Sequence, residues 1–190
     1  HPLWYSPFIP IFFFVSAIVA GLSMVIVESA LSHRAFRERI DPQRHVDLDA
    51  ITIGLGRAAS VVLFAYFFLR LQGLADSGRW ELLLTGWGAW FLVEIVGFVL
   101  VPCFLFAHGA RHGHVALVRW TAGMTVAGIV LGRLNLTIVA FNWNAAERYV
   151  PTWMEIWTSL TIVTIGVLVF RWIVNRMPIL HEHPAYRDAH

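Results

Sequence analysis

Lysine is missing from this chain: all 14 basic residues are arginine. Cysteine occurs once, as Cys103, and one thiol makes neither an intrachain disulfide nor a metal cluster. Charged residues make up only 14%, against ~25% in soluble domains. The formal net charge of +2 is too small to argue for a nucleic-acid partner. No Walker loop, H-E-x-x-H or C-x-x-C occurs, which excludes nucleotide, zinc-protease and iron–sulfur chemistry from this chain. Histidine is absent where a haem would need it. The nine histidines stand at 1, 33, 45, 108, 112, 114, 181, 183 and 190, none of them deep in an apolar run. A haem b between helices takes two axial imidazoles within the membrane. No metal or cofactor is therefore expected on this chain, and His33, His108, His112 and His114 read as a titrating rim.

What the chain has is apolar length. Five runs, over about 7–32, 50–74, 82–107, 115–141 and 152–179, are each long enough to be a membrane helix. A span needs about 20 apolar residues at ~1.5 Å rise each. The expectation is an all-α integral membrane protein, one transmembrane helical domain over 1–190, built as a bundle of about five helices. The chain opens on His1 with no charged n-region or cleavage site before the first run, and reads as a fragment that starts outside the membrane.

Arginine sets the orientation. Nine stand in the first loop, the third loop and the C-terminal end; two, Arg79 and Arg148, stand on the opposite side. The positive-inside rule puts the first group in the cytoplasm and His1 outside. Trp4, Tyr5, Trp80, Trp87, Trp143, Tyr149, Trp153 and Trp157 then form an interfacial belt at the outer ends of the spans. Such a belt serves either as a lipid anchor or as a docking face for an extracytoplasmic partner.

Small residues mark helix contacts. Gly128 and Gly132 form a G-x-x-x-G pair, Ala17 and Gly21 are spaced alike, and Gly54, Gly56, Gly86 and Gly88 cluster near span ends. Pro7 and Pro10 suit a first helical turn. Pro102, inside the third run, should kink it or release a carbonyl.

Ionisable residues inside the runs carry the functional argument, because a charge in hydrocarbon costs at least ~2.5 kcal/mol and tends to be paired and inward-facing. Glu94 falls near mid-span; a lone carboxyl there is neutral unless a cation meets it, and a protonatable group at that depth suits a proton relay. The alternative is a fixed inter-helix hydrogen bond. Arg133 should pair with Glu94 or Glu155, with Asn135 beside it as a supporting polar group. Glu28, with Ser23 five residues before it, either ends a proton path or pairs with Arg34 or Arg57. Glu155 fits the capping box Thr152-Trp153-Met154-Glu155 after Pro151. Arg57 and Arg70 are expected to snorkel from the span ends. No residue is singled out as catalytic.

Three segments match a known pattern: the opening run from His1 to Pro7 with Met24 to Ser29; Gly132 to Asn142; and Tyr149 to Glu155 with Arg176 to Leu180. Together they resemble the HybB-like membrane subunits of uptake nickel–iron hydrogenases, in the NrfD/PsrC superfamily of quinone-linked anchors. The resemblance covers the C-terminal half of such a subunit. It implies eight to ten helices in the whole protein, no haem, and a place in the bacterial or archaeal cytoplasmic membrane. It also implies partners: a ferredoxin-like iron–sulfur subunit and nickel–iron hydrogenase subunits outside, with electrons passing to menaquinone or ubiquinone. The quinone pocket is implied mainly in the other half. Glu28, Glu94, Arg133 and Glu155 coincide with polar positions of the family's second bundle, on a proton path or its support. Half of a transporter or channel, or an anchor with no chemistry, are the competing readings.

Overall fold

A backbone in lipid must satisfy its own hydrogen bonds, so long apolar runs fold as helices. In a computed structural model, described over residues 1–35, 42–140 and 151–176, they do. The elements are α1 (Ile9–Ala35), α2 (Pro42–Ser77), a 3₁₀ turn (Trp80–Leu84), α3 (Gly86–Leu92), a π segment (Val93–Leu100), α4 (Val101–His112), α5 (Val115–Leu134), a second π segment (Asn135–Ala140) and α6 (Trp153–Arg176). No strand occurs among the described residues. Five stretches are long and apolar enough to cross a membrane: Ile9–Ser32, Leu48–Ser77, Gly86–His112, Val115–Ala140 and Trp153–Ile173.

These match the five expected runs in number and order, with boundaries moved by a few residues: the second runs to Ser77, not 74, and the third to His112, not 107. The third begins at Gly86, not at residue 82. Thr85 is extended and its hydroxyl accepts from the Gly88 amide at 3.2 Å, an N-cap that starts α3 afresh. Residues 141 and 177–179 of the expected fourth and fifth runs lie outside the described residues.

Pro102 sits in the first turn of α4, directly after the π segment. A proline has no N–H to give and its ring crowds the carbonyl one turn back. The widened turn absorbs both: the Val101 amide reaches five residues back to the Val96 carbonyl. α4 then ends on Gly113, whose φ of 68° is left-handed. Arg111 and His112 occupy its last turn, where cations meet the negative end of the helix dipole.

α1 packs on α2 and α5, and α4 packs on the same two, so four helices close a ring. Its core runs through Val19, Ile26, Leu63, Val99, Phe106 and Val118. A second cluster, Leu3, Trp4, Leu74, Phe91 and Ile95, closes the end that carries the N-terminal segment. Where lipid gives no hydrophobic drive between helices, close packing and polar links hold them. Ser60 and Cys103 supply one such link: the Ser60 hydroxyl donates to the Cys103 carbonyl at 3.0 Å and the thiol donates to the Ser60 carbonyl at 3.3 Å.

The glycines divide sharply. A Cβ at Gly128 would stand 2.6 Å from the Phe98 Cβ, and one at Gly132 would stand 3.3 Å from Glu94 Oε1. Residues 94 and 98 on one helix thus seat over 132 and 128 on the other. Gly56 and Gly88 are also close approaches, but Gly21, Gly54 and Gly86 have nothing within 4 Å. Ala17 and Gly21 are exposed, so that expected pair does not seat a helix of this bundle. Along Trp153–Ile173 nothing is buried by the rest of the described chain.

Candidate functional site

One carboxylate, two guanidiniums and a hydroxyl are brought to a single level of the bundle. Arg70 is seven residues before Ser77, Glu94 eight after Gly86, Arg133 seven before Ala140, and Ser16 seven after Ile9. At ~1.5 Å per residue that is a depth of about 10–12 Å from the same end. Glu94 is therefore not at mid-span, as expected from a run starting at 82. It lies in the third of the bundle nearest the N-terminal segment.

Glu94 is 6% exposed and accepts three hydrogen bonds. Arg70 Nη2 donates to Oε1 at 2.9 Å as an ion pair. Trp4 Nε1 donates to Oε2 at 2.8 Å, and Asn135 Nδ2 to the same oxygen at 2.7 Å. Guanidinium and indole can only donate. The Asn135 amide could face either way, but Trp90 Nε1, also donor only, points at its Oδ1 at 3.2 Å. That leaves the NH₂ for Glu94. Three donors and no acceptor face Glu94, the surroundings that suit an ionised carboxylate: it accepts at both oxygens, whereas the O–H of a protonated acid would find no acceptor among these three groups.

The local folding explains the convergence. Glu94 and Asn135 each stand in a π segment, Asn135 as the first residue of its own. Such widened turns re-aim side chains and recur at functional sites. Trp4 is carried in by the N-terminal segment: the His1 main-chain nitrogen donates to the Ala140 carbonyl at 2.7 Å, and the Trp4 indole packs edge-on against Phe91 at 5.5 Å between centroids. Arg70 lies over Phe12 and Phe91, 5.5 and 5.2 Å from their centroids, where ring faces favour a cation.

Arg133 does not pair with Glu94 or with Glu155. Its Nη2 donates to the Ser16 hydroxyl at 2.8 Å and to the Phe13 carbonyl at 3.3 Å, and its guanidinium carbon is 3.4 Å from the Phe13 ring centroid. Arg70, Glu94 and Arg133 border one cavity of about 50 Å³, together with Ser16, Tyr66 and apolar groups from α1, α2, α5 and the π segment before α4.

The other expected residues stand apart. Glu28 lies on α1 and, among the described residues, forms no ion pair with Arg34 or Arg57. Ser23 is fully buried and its hydroxyl has no hydrogen-bond partner among the described residues. Glu155 is on α6, away from the cavity; its amide bonds to the Thr152 carbonyl at 2.9 Å. Two members of the site escape sequence reasoning. Arg70 reads as snorkelling if its span ends at 74; α2 runs to Ser77, which places it a further turn inside. Trp4 reads as one residue of the aromatic belt. The signal available was its distance from any charge-bearing loop and the presence of an intrahelical acid needing donors.

His108, His112 and His114 gather at the far end of the bundle, exposed, with rings 4.3, 6.0 and 6.4 Å apart. Among the described residues no group of three is arranged to hold a metal ion. The cavity lining offers no histidine, cysteine or methionine to a haem iron. His33's side chain and residues 142–149 lie outside the described residues.

The family model described as polysulphide reductase, NrfD, matches residues 1–145. This chain belongs to the NrfD family. It is 47% identical over 192 residues to a protein of Nitratidesulfovibrio vulgaris strain Hildenborough, covering 100% of this chain and 50% of that one. It is 26% identical over 183 residues to the probable Ni/Fe-hydrogenase 2 b-type cytochrome subunit of Escherichia coli K12, covering 95% of this chain and 45% of that protein. This NrfD chain thus spans about half the length of both relatives. No solved structure matches it. The resemblance read from the sequence is confirmed at the level of the family.

Proposed function

We propose that this NrfD chain is half of the membrane subunit of a respiratory oxidoreductase, of the uptake-hydrogenase kind. In this reading the whole subunit sits in the inner membrane with His1 outside. It passes electrons from an extracytoplasmic ferredoxin-like iron–sulfur subunit, fed by nickel–iron hydrogenase subunits, to menaquinone or ubiquinone. The reading is supported by the family match over 1–145 and by the hydrogenase subunit among the relatives. The single observation that carries a chemical role is the membrane-buried Glu94 carboxylate, held by three donors at the tryptophan-bearing end of the bundle.

In this reading a proton that reaches Glu94 binds Oε1, the oxygen Arg70 holds, since Trp4 and Asn135 share the other. That removes the carboxylate charge facing Arg70, and Arg133 at the same level keeps the field positive. Ser23 and Glu28, toward the opposite end of α1, mark where such a path would leave. A quinone ring does not fit this cavity, since ~50 Å³ falls far below the ~300–1,000 Å³ of small-molecule pockets; in this reading its site lies mainly in the other half of the subunit.

The test is purification of the full-length subunit from its native membrane. It should bring down iron–sulfur and hydrogenase subunits, and the complex should reduce a quinone analogue with hydrogen. Deleting the subunit should abolish quinone reduction while hydrogen-dependent reduction of an artificial dye persists. Quinone reduction that survives the deletion, or a subunit that purifies without an iron–sulfur partner, overturns the reading.

A further inference from the structure

The cavity carries more positive charge than the chain compensates. Two guanidiniums, Arg70 and Arg133, line it with one carboxylate, Glu94. Glu94 is committed to Arg70 at 2.9 Å. Among the described residues no carboxylate ion-pairs with Arg133; its partners are a hydroxyl, a carbonyl and a ring face. None of these carries a full negative charge, and desolvating an uncompensated ion is costly.

We propose that this cavity binds a small monovalent anion, of halide size, against Arg133. The lining comes from the N-terminal segment, α1, α2, the π segment before α4, and α5 with the π segment after it. A soluble anion of halide size enters such a space without rearranging these elements. At ~10–15 Å³ for each water-sized body, about 50 Å³ admits a halide with one or two waters. The donors are in place: a guanidinium offers five N–H groups, and the hydrogen bonds of Arg133 to Ser16 and Phe13 both come from Nη2. Ser16 and Tyr66 add hydroxyls to the same lining. A lipid phosphate is the other source of anionic oxygen, but Arg133 is about 10 Å below the end of its span, too deep for a headgroup at its normal level.

The experiment is thermal unfolding of the purified full-length protein, with the subunits it carries, in sodium bromide against sodium gluconate of equal ionic strength. A bound anion raises the unfolding temperature with the logarithmic saturation of ligand linkage. Bromide should do so and gluconate, too large for the space, should not. Arg133→Gln should lose the bromide dependence whatever its own baseline, and Arg133→Lys should keep part of it. Equal behaviour in the two salts overturns the proposal, as does a full bromide effect in Arg133→Gln. So does a stabilisation that tracks anionic lipid in place of halide. Should Arg133→Gln fail to fold, bromide anomalous scattering on the wild-type protein decides: a peak beside Arg133 supports the site, and an empty cavity at saturating bromide refutes it. None of these readouts requires turnover, so they stand apart from the redox assignment.

Discussion

Glu94→Gln should destabilise the bundle by about 3–5 kcal/mol, the cost of leaving one member of a buried ion pair alone, although the side chain keeps its shape. The reason lies in the donor count. Trp4, Asn135 and Arg70 all donate to Glu94. A glutamine offers one acceptor and two donors, so either its NH₂ faces the guanidinium or it faces the indole and the Asn135 amide. Turning the oxygen to Trp4 and Asn135 is the lesser loss, and it leaves Arg70 charged and unpaired. Glu94→Gln combined with Arg70→Met should therefore recover much of the loss. The glutamine oxygen then serves the two remaining donors, and its NH₂ faces space the guanidinium has left. A double-mutant cycle on unfolding in mixed micelles checks this. Additive losses, with no coupling between 70 and 94, would mean that the pair does not hold the site together.

Gly128→Ala should cost about 1–3 kcal/mol, the range for forcing one methyl into a packed interior. The new Cβ would meet Phe98 Cβ at 2.6 Å, and a Cβ cannot swing away as a side-chain tip can. The two helices must separate there, which also loosens Glu94 one turn along. Gly132→Ala should cost less, since its methyl meets only the tip of Glu94 at 3.3 Å. Gly123→Ala is the control: with nothing within 4 Å it should be neutral or gain up to ~1 kcal/mol from helix propensity. The same unfolding assay ranks the three. An order with Gly123→Ala worst would refute the seating of 94 and 98 over 132 and 128.

Much of this architecture is legible in the residues. Apolar length alone places five helices, because lipid leaves the backbone few other solutions. Glu94 stands out because an acid is costly there, and Gly128 with Gly132 because their spacing admits a neighbour. The partners of Glu94 are harder to read. Assigning Arg133 to it assumes regular helices, yet Glu94 and Asn135 both sit in widened turns, which rotate the residues beyond them. The hint in the chain is Pro102, whose missing donor predicts a disturbance without its form. A span boundary set at 74 puts Arg70 one turn too near the surface. Trp4 looks like one more belt residue; only the fold of the N-terminal segment over the second π segment turns its indole inward. Ala17 and Gly21 show the limit of small-residue spacing, which marks room for a contact and not which way it faces.

The central claim is that a charged carboxylate is kept within the membrane bundle by three donors. Infrared difference spectroscopy of wild-type protein against Glu94→Gln, at neutral pH, reads it most directly. The account predicts that the substitution removes a carboxylate stretch and leaves the protonated-acid carbonyl region unchanged. Loss of a protonated-acid carbonyl band on that substitution would contradict it.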